Sequence, residues 1–389
     1  MEVSVVAEKS FDLKALAQMD IKDVAKLFKK NQTATKRTVK KQTTKSLTKP
    51  VVVFDFGTES VKVAVGRQVR TELKVMQLFT VQLPKGTIVD GKIIEPQILQ
   101  DTLEVALTEQ KVKVKDAIAC VNSTQIITRE LFIPVVEEDE IETVARYEIQ
   151  QFLPINLEDY QVQYLIMDEV VVNTEKKYKL NVVAFLDKMA MSYYDVLKAL
   201  GLKPYALDVS FNAVGKLAAL EDVKLAQEGT VAFVDMGAQS IDVNIYQNKQ
   251  VQFTRMIKTG GTIIDQNLNQ MDMSLKSAVS YKMSQADLND DMTEDVAARI
   301  VRYSVDEMLT ELERVFQFYR NKSVGNTIDK LYVFGGTSHL NGMLPYIEAR
   351  FNIPTATIQE FKKIELAPTV DKAVDVSDYT NSLGAMIRY

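Results

Sequence analysis

Asp55-Phe56-Gly57-Thr58-Glu59-Ser60 begins inside the apolar run Val51–Phe56, and Asp235-Met236-Gly237-Ala238-Gln239-Ser240 begins inside the apolar run Val231–Met236. The two stretches share the pattern Asp-x-Gly-(Thr/Ala)-x-Ser, 180 residues apart. Alternating apolar residues follow each, Val61, Val63 and Val65 in the first and Ile241, Val243 and Ile245 in the second. Each copy therefore reads as a strand, a tight turn and a second strand. One Asp-Gly-Ser turn is ordinary hairpin chemistry. Two in the same register predict a duplication, with two α/β halves offering matched hairpins across a cleft.

The residue types say what such a cleft can hold. Gly57 and Gly237 let the backbone approach an anion with no Cβ in the way, and the amides that follow can cradle phosphate oxygens. Thr58, Ser60 and Ser240 add hydroxyl donors. Asp55 and Asp235 are candidate holders of Mg²⁺, through its water shell because the ion dehydrates reluctantly. A third glycine element, Leu331-Tyr332-Val333-Phe334-Gly335-Gly336-Thr337-Ser338, is a strand running into a turn where a flat ring or sugar can lie on bare backbone. Another pair, Gly260-Gly261, follows the strand Val251–Ile257. No Gly-x-x-x-x-Gly-Lys-(Ser/Thr) motif occurs, so this is not a P-loop chain.

The 389 residues suffice for two or three domains, and at 46% hydrophobic they can fill real cores. No run of 18 apolar residues occurs, which predicts no membrane-spanning helix. The N-terminus does not read as a secretory signal, and a single cysteine, Cys120, fits a reducing compartment. Cys120 sits in an apolar strand and is expected in the core. His339 is the one histidine, too few for a His-rich metal site or a His-paired nucleophile. The net charge is −5, unevenly spread: residues 1–50 hold 12 Lys/Arg against 5 Asp/Glu. The acidic body excludes a general nucleic-acid binder.

Residues 1–50 read as an appendage. Leu13, Ala17, Ile21, Val24 and Phe28 form one helical stripe over 11–30, followed by a basic linker from Lys29 to Lys49. Asp12, Asp20 and Asp23 favour a protein partner for that helix over a membrane surface. The first half then comprises 51–115 and 203–228, with a helix expected between Pro204 and Gln227. An α+β module is expected over 116–202, with strands at Ala117–Val121, Glu130–Pro134, Tyr160–Met167 and Leu180–Phe185. Its helices are expected at Asp139–Phe152, broken by Leu153-Pro154, and at Lys188–Leu200. The second half is 229–389, with a long helix through Val305–Tyr319.

In this order, the two Asp-x-Gly turns and the late Val-Phe-Gly-Gly-Thr-Ser resemble the actin/Hsp70/sugar-kinase ATPase superfamily, over residues 50–389. The inserted module resembles the FtsA-like branch. Arg146-Tyr147-Glu148-Ile149-Gln150-Gln151-Phe152-Leu153-Pro154, continued by Ile155 to Tyr160, and the stretch Arg255 to Gly261 are similar to the PilM family of type IV pilus assembly. The resemblance implies a duplicated actin-like α/β fold with ATP and Mg²⁺ as cofactors. Asp55, Gly57, Thr58, Ser60 and Lys62 would form the first phosphate loop, and Asp235, Gly237, Ala238, Gln239 and Ser240 the second. Gly260 and Gly261 would lie near ribose and phosphates, and Gly335, Gly336 and Thr337 at the adenosine. Lys282 would line the nucleoside pocket, where Val279 replaces the glutamate found in relatives and removes one ribose hydrogen bond. Glu148, with Gln151 beside it, is the candidate for positioning an attacking water, and hydrolysis is expected to be slow at best.

The resemblance further implies a cytoplasmic scaffold recruited to the inner membrane face, with mainly indirect membrane contact. A short cytoplasmic peptide of a PilN-like bitopic membrane protein would dock on it, beside the inserted module, and the scaffold would link that platform to pilus motor ATPases. Self-association is left open. An FtsA-like cell-division filament protein is the alternative, but such chains usually end in an amphipathic membrane helix, and this one stops at Ala385–Tyr389. A metabolic kinase of the same superfamily would need a carboxylate base beside a polar sugar pocket, which no segment supplies evidently.

Overall fold

The computed structural model describes residues 49–152, 156–220, 229–247, 250–271, 273–290, 294–322 and 325–388. The expected N-terminal helix, most of the basic linker, the Leu153-Pro154 break and the far end of the helix expected to Gln227 lie outside the described residues. The described chain forms two compact units, a small one at 126–187 and a large one made of 49–125 and 188–388.

In the large unit, β1 (Val51–Phe56), β2 (Ser60–Val69) and β3 (Glu72–Gln82) form an antiparallel meander. A two-residue ladder, β4 (Ile88–Val89) with β5 (Lys92–Ile93), leads into helix α1 (Pro96–Glu109). Strand β6 (Asp116–Val121) then lies parallel to β1, and β10 (Lys203–Val209) parallel to β6. The second half repeats the plan with β11 (Thr230–Met236), β12 (Ile241–Gln247) and β13 (Gln250–Ile257) as the meander and β14 (Lys330–Phe334) and β15 (Thr355–Ala356) as the parallel strands. The strand orders, β10-β6-β1-β2-β3 and β13-β12-β11-β14-β15, are the same. The duplication predicted from two hairpins thus extends to five strands. In the first sheet β16 (Ile364–Leu366), from the second half of the chain, adds beyond β3.

Burial explains the strand sequences. All six residues of β1 are buried, so it reads as a continuous apolar run rather than an alternation. The segment expected to start a helix at Pro204 is instead β10, and helix α4 starts only at Ser210 and runs to Leu220. An edge strand tolerates the missing N–H of Pro204, and β10 is at the edge. Helices α5 (Gly261–Asn269), α6 (Leu275–Ser284), α7 (Val296–Lys322) and α8 (Met343–Phe351) enter the core of the second half with Val234, Val243 and Val333. Helix α7 is longer at both ends than the segment read from sequence.

A second core joins the halves. Val51, Val53, Ile118 and Cys120 of the first sheet and Phe233, Tyr332 and Phe334 of the second belong to one cluster, with Val214 and Leu217 of α4 and Leu383 and Met386 of α9 (Thr380–Met386). Phe233 stacks on Tyr332 at 4.9 Å between ring centroids.

The small unit has β7 (Ile127–Pro134), β8 (Tyr160–Val172) and β9 (Glu175–Leu186) in the order β7-β9-β8. Asn173 and Thr174, with φ of 50° and 69°, make the primed turn that suits the β8–β9 hairpin. Helix α2 (Ile141–Phe152) packs Ile141, Val144, Ala145 and Ile149 against Leu131, Ile133, Leu180 and Val182. The module is narrower than the expected 116–202. β6 lies between β1 and β10 in the main sheet, and α3 (Asp187–Ala199) belongs to the large unit from Lys188 on.

A Cβ built on Gly384 would lie 2.1 Å from the carbonyl oxygen of Ala213, so the backbones of α9 and α4 touch. Gly384→Ala must force these helices apart. We expect it to cost about 2–3 kcal/mol, read as a lowered midpoint of urea unfolding with little change in slope.

Candidate functional site

The two Asp-x-Gly turns fold alike. Gly57 N–H donates to the Ser60 carbonyl at 3.0 Å and Gly237 N–H to the Ser240 carbonyl at 2.9 Å. A Cβ on Gly57 would come within 2.8 Å of that Ser60 oxygen, which is why the turn needs glycine there. The second turn is gripped from behind. Its Gly237 carbonyl accepts from Gly261 N–H at 3.0 Å and Thr337 Oγ1 at 2.8 Å, and its Ala238 carbonyl from Thr262 N–H at 2.9 Å. The glycine pairs at 260–261 and 335–336 are thus brought to the same turn.

Between the turns lies a cavity of about 590 Å³, lined wholly by residues of the large unit. Asp55, Gly57, Thr58, Ser60 and Lys62 line it, as do Asp235, Gly237, Ala238, Gln239, Ser240, Gly261, Lys282, Gly336 and Thr337. Gly260 and Gly335 do not; they serve the packing behind it. Gly335 has φ of +91°, and a Cβ there would meet Asp235 Oδ1 at 2.3 Å. Lys282 is buried, with Nζ 2.7 Å from Asp265 and donating to the Gly261 carbonyl at 3.1 Å, so it ties α6 to α5. Val279 and Met283 give that wall an apolar surface.

Several lining residues escaped the sequence reading, among them Asp90, Asn122, Asp242, Asp265 and Asn381. The strand register could have supplied Asp242. Lys62 faces Asp55 across the first hairpin, and the duplicate position facing Asp235 is Asp242. Asn381 carried no local signal. From α9 its Nδ2 donates to Asp235 Oδ2 at 2.9 Å and to Asp55 Oδ2 at 3.3 Å, uniting the duplicated acids. Its Oδ1 is buried and has no hydrogen-bond partner. Two convergent carboxylates and an orphan carbonyl suit a cation that keeps its own water. Among the described residues no group of three or more His, Cys, Asp or Glu side chains could hold a bare metal ion.

The remaining candidates lie elsewhere. Glu148 is on α2 of the small unit, where burial raises its pKa against the pull of Lys177. Gln151 is exposed on the same helix. Cys120 is fully buried in β6, as expected for a core residue. His339 Nε2 lies 2.7 Å from Asp378 Oδ1, and that bond raises the imidazole pKa.

The acids of the cavity are out of their ordinary range. Asp55 is pushed up to about 7, first by burial, with Lys62 opposing and Asp235 adding to the shift. Asp242 is pushed up to about 8 by burial and then by the charge of Asp235. Burial raises Asp235 too. In the unfolded chain such acids ionise at about pH 4. Their contribution to stability is therefore full below that pH and is lost as pH rises through 7 to 8. In cation-free buffer we expect urea unfolding to show lower stability at about pH 9 than at pH 6. Asp242→Asn, neutral throughout, should lose less over that range, by roughly 1–3 kcal/mol.

The family model of the type IV pilus assembly protein PilM matches residues 53–386. Among solved structures, the PilM-PilN type IV pilus biogenesis complex is similar at a TM-score of 0.74 and 17% identity, over 86% of this chain and 97% of that one. Ethanolamine utilization protein EutJ from Carboxydothermus hydrogenoformans is similar at a TM-score of 0.51 and 14% identity, over 87% of this chain and 89% of that one. The likeness is one of fold, and the fold is the actin-like one. No helix among the described residues is long and apolar enough to cross a membrane.

Proposed function

Since this chain belongs to the family of the type IV pilus assembly protein PilM, we propose that it is an ATP-binding actin-like scaffold of pilus assembly. The observation that carries the nucleotide reading is the meeting of Asp55 and Asp235 at Asn381 in the wall of one cavity. In this reading the turns after Gly57 and Gly237 offer backbone amides to the phosphates, and Thr58, Ser60 and Ser240 add hydroxyl donors. Lys62 brings a cation to the same wall. Asp55 and Asp235 hold Mg²⁺ through its water. The bound ion neutralises phosphate charge. Gly261, Gly336 and Thr337 offer a bare surface for the nucleoside, beside the apolar Val279 and Met283.

Hydrolysis belongs to the proposal only as a slow reaction, with Glu148 as the candidate for positioning water. Calorimetry checks the nucleotide site. Wild-type protein should bind ATP with Mg²⁺, and Asp55→Ala or Asp235→Ala should weaken binding by at least tenfold, about 1.4 kcal/mol. Wild-type protein without affinity for ATP would remove the reading.

Membership of the family and the likeness to a PilM-PilN complex support a reading of the partner. We place a short cytoplasmic peptide of a PilN-like bitopic membrane protein on this chain, with recruitment to the inner membrane face and linkage to the motor ATPases following from it. The module at 126–187 is the proposed docking element, since a peptide can anchor on an exposed strand edge. β8 is an edge strand of 13 residues with Leu165 and Val171 exposed. Replacing 126–187 by a short linker should abolish capture of such a peptide in a pull-down while ATP binding persists. Capture at wild-type level would exclude the module.

A further inference from the structure

The side chain of Asn381 is buried at the second residue of α9, 326 positions from Asp55 and 146 from Asp235. An amide has two N–H hydrogens and one carbonyl. Here the nitrogen faces an oxygen of each duplicated aspartate, and in a cation-bound site, where both acids are ionised, these oxygens only accept. The orientation of the amide is thus set by its neighbours, and both donors are committed. The carbonyl Oδ1 is left buried with no partner, beside the cavity that the two acids line.

Helix α9 is itself firmly placed. It packs on α4, β1, β2 and β6, and its Gly384 touches the α4 backbone. Two hydroxyls brace the turn before it. Thr380 Oγ1 donates to the Ser377 carbonyl at 2.6 Å, and Tyr379 OH pairs with Thr80 Oγ1 of β3 at 3.0 Å. The Asn381 side chain therefore reaches the two acids from a rigid support, as a precise polar site requires. A helix-capping role does not account for it, because its bonds leave the helix for strands β1 and β11.

We infer that Asn381 is a positioning residue of the nucleotide site, holding the carboxylates of Asp55 and Asp235 convergent so that together they grip a hydrated Mg²⁺, with Oδ1 accepting from its water. The inference rests on the proposed ATP site and names the chain's own contribution to holding its metal. It also ties the last helix to the metal.

The test separates metal from nucleotide. ATP binding is measured by calorimetry in Mg²⁺ and in EDTA, for wild type and for Asn381→Ala. The wild type should bind more tightly in Mg²⁺, and the variant should lose about tenfold in Mg²⁺ while its EDTA affinity stays within about twofold. A merely structural role would weaken both equally, and equal losses or no loss would overturn the inference alone. A wild type that binds no ATP in either buffer overturns the site and the inference with it. If Asn381→Ala does not fold, the ¹⁵N side-chain amide signal of Asn381 in ATP-loaded wild type decides. It should shift when Mg²⁺ is added, and an unmoved signal overturns the proposal.

Discussion

Two carboxylates set at the ends of duplicated strands constrain this molecule more than any other feature. Asp55 is buried, Asp235 half-buried, and both line the same cavity. Charge there is costly unless it is paired or hydrogen-bonded. The surroundings meet that cost in part, with Lys62 and the Asn381 amide both lowering the Asp55 pKa. Asp235 is met by the same two groups, Lys62 and the Asn381 amide, although the residue facing it across the hairpin is Asp242 rather than a lysine. The duplication is thus unequal in its facing residues, a lysine across the first hairpin and an aspartate across the second.

The architecture supports that pairing. Each acid ends a central, fully flanked strand, β1 between β2 and β6 and β11 between β12 and β14. The central strands fix the acids, while short turns present amides and hydroxyls around them. The two sheets then share a core of aromatic and aliphatic side chains with α4 and α9 in it. Helix α9 and strand β16 both come from the end of the chain and both join the first half. The last residues of the sequence are therefore structural members of the first domain, which is how Asn381 comes to stand between the two acids.

The small unit has its own core and its own logic. Helix α2 covers one face of a three-stranded sheet, and residues 146–152 of the stretch that resembles the PilM family lie on this helix. The cavity draws its lining from the large unit alone. Glu148 on α2 is therefore supported as a water-positioning residue only by the resemblance, whereas the lining residues Asn122, Asp242 and Asn381 are placed by contact.

What could be read directly from the sequence is whatever depends on short range. The strand-turn-strand units at Asp55 and Asp235, the glycine turns and the class of fold follow from apolar alternation and from glycine at fixed offsets, properties of neighbours in the chain. So does the helical period of α7. The misread segments are those where tertiary context overrules local pattern. Lys203–Val209 becomes a strand because an edge position beside β6 admits its proline. β6 joins the main sheet, although it reads locally like part of the module. The site divides in the same way. Its turns were visible because they repeat, and Asp242 was visible in principle because strand register is periodic. Asn381 was not visible at all, since its role depends on a helix that returns to strands 146 and 326 residues earlier, and no local pattern encodes a contact at that separation.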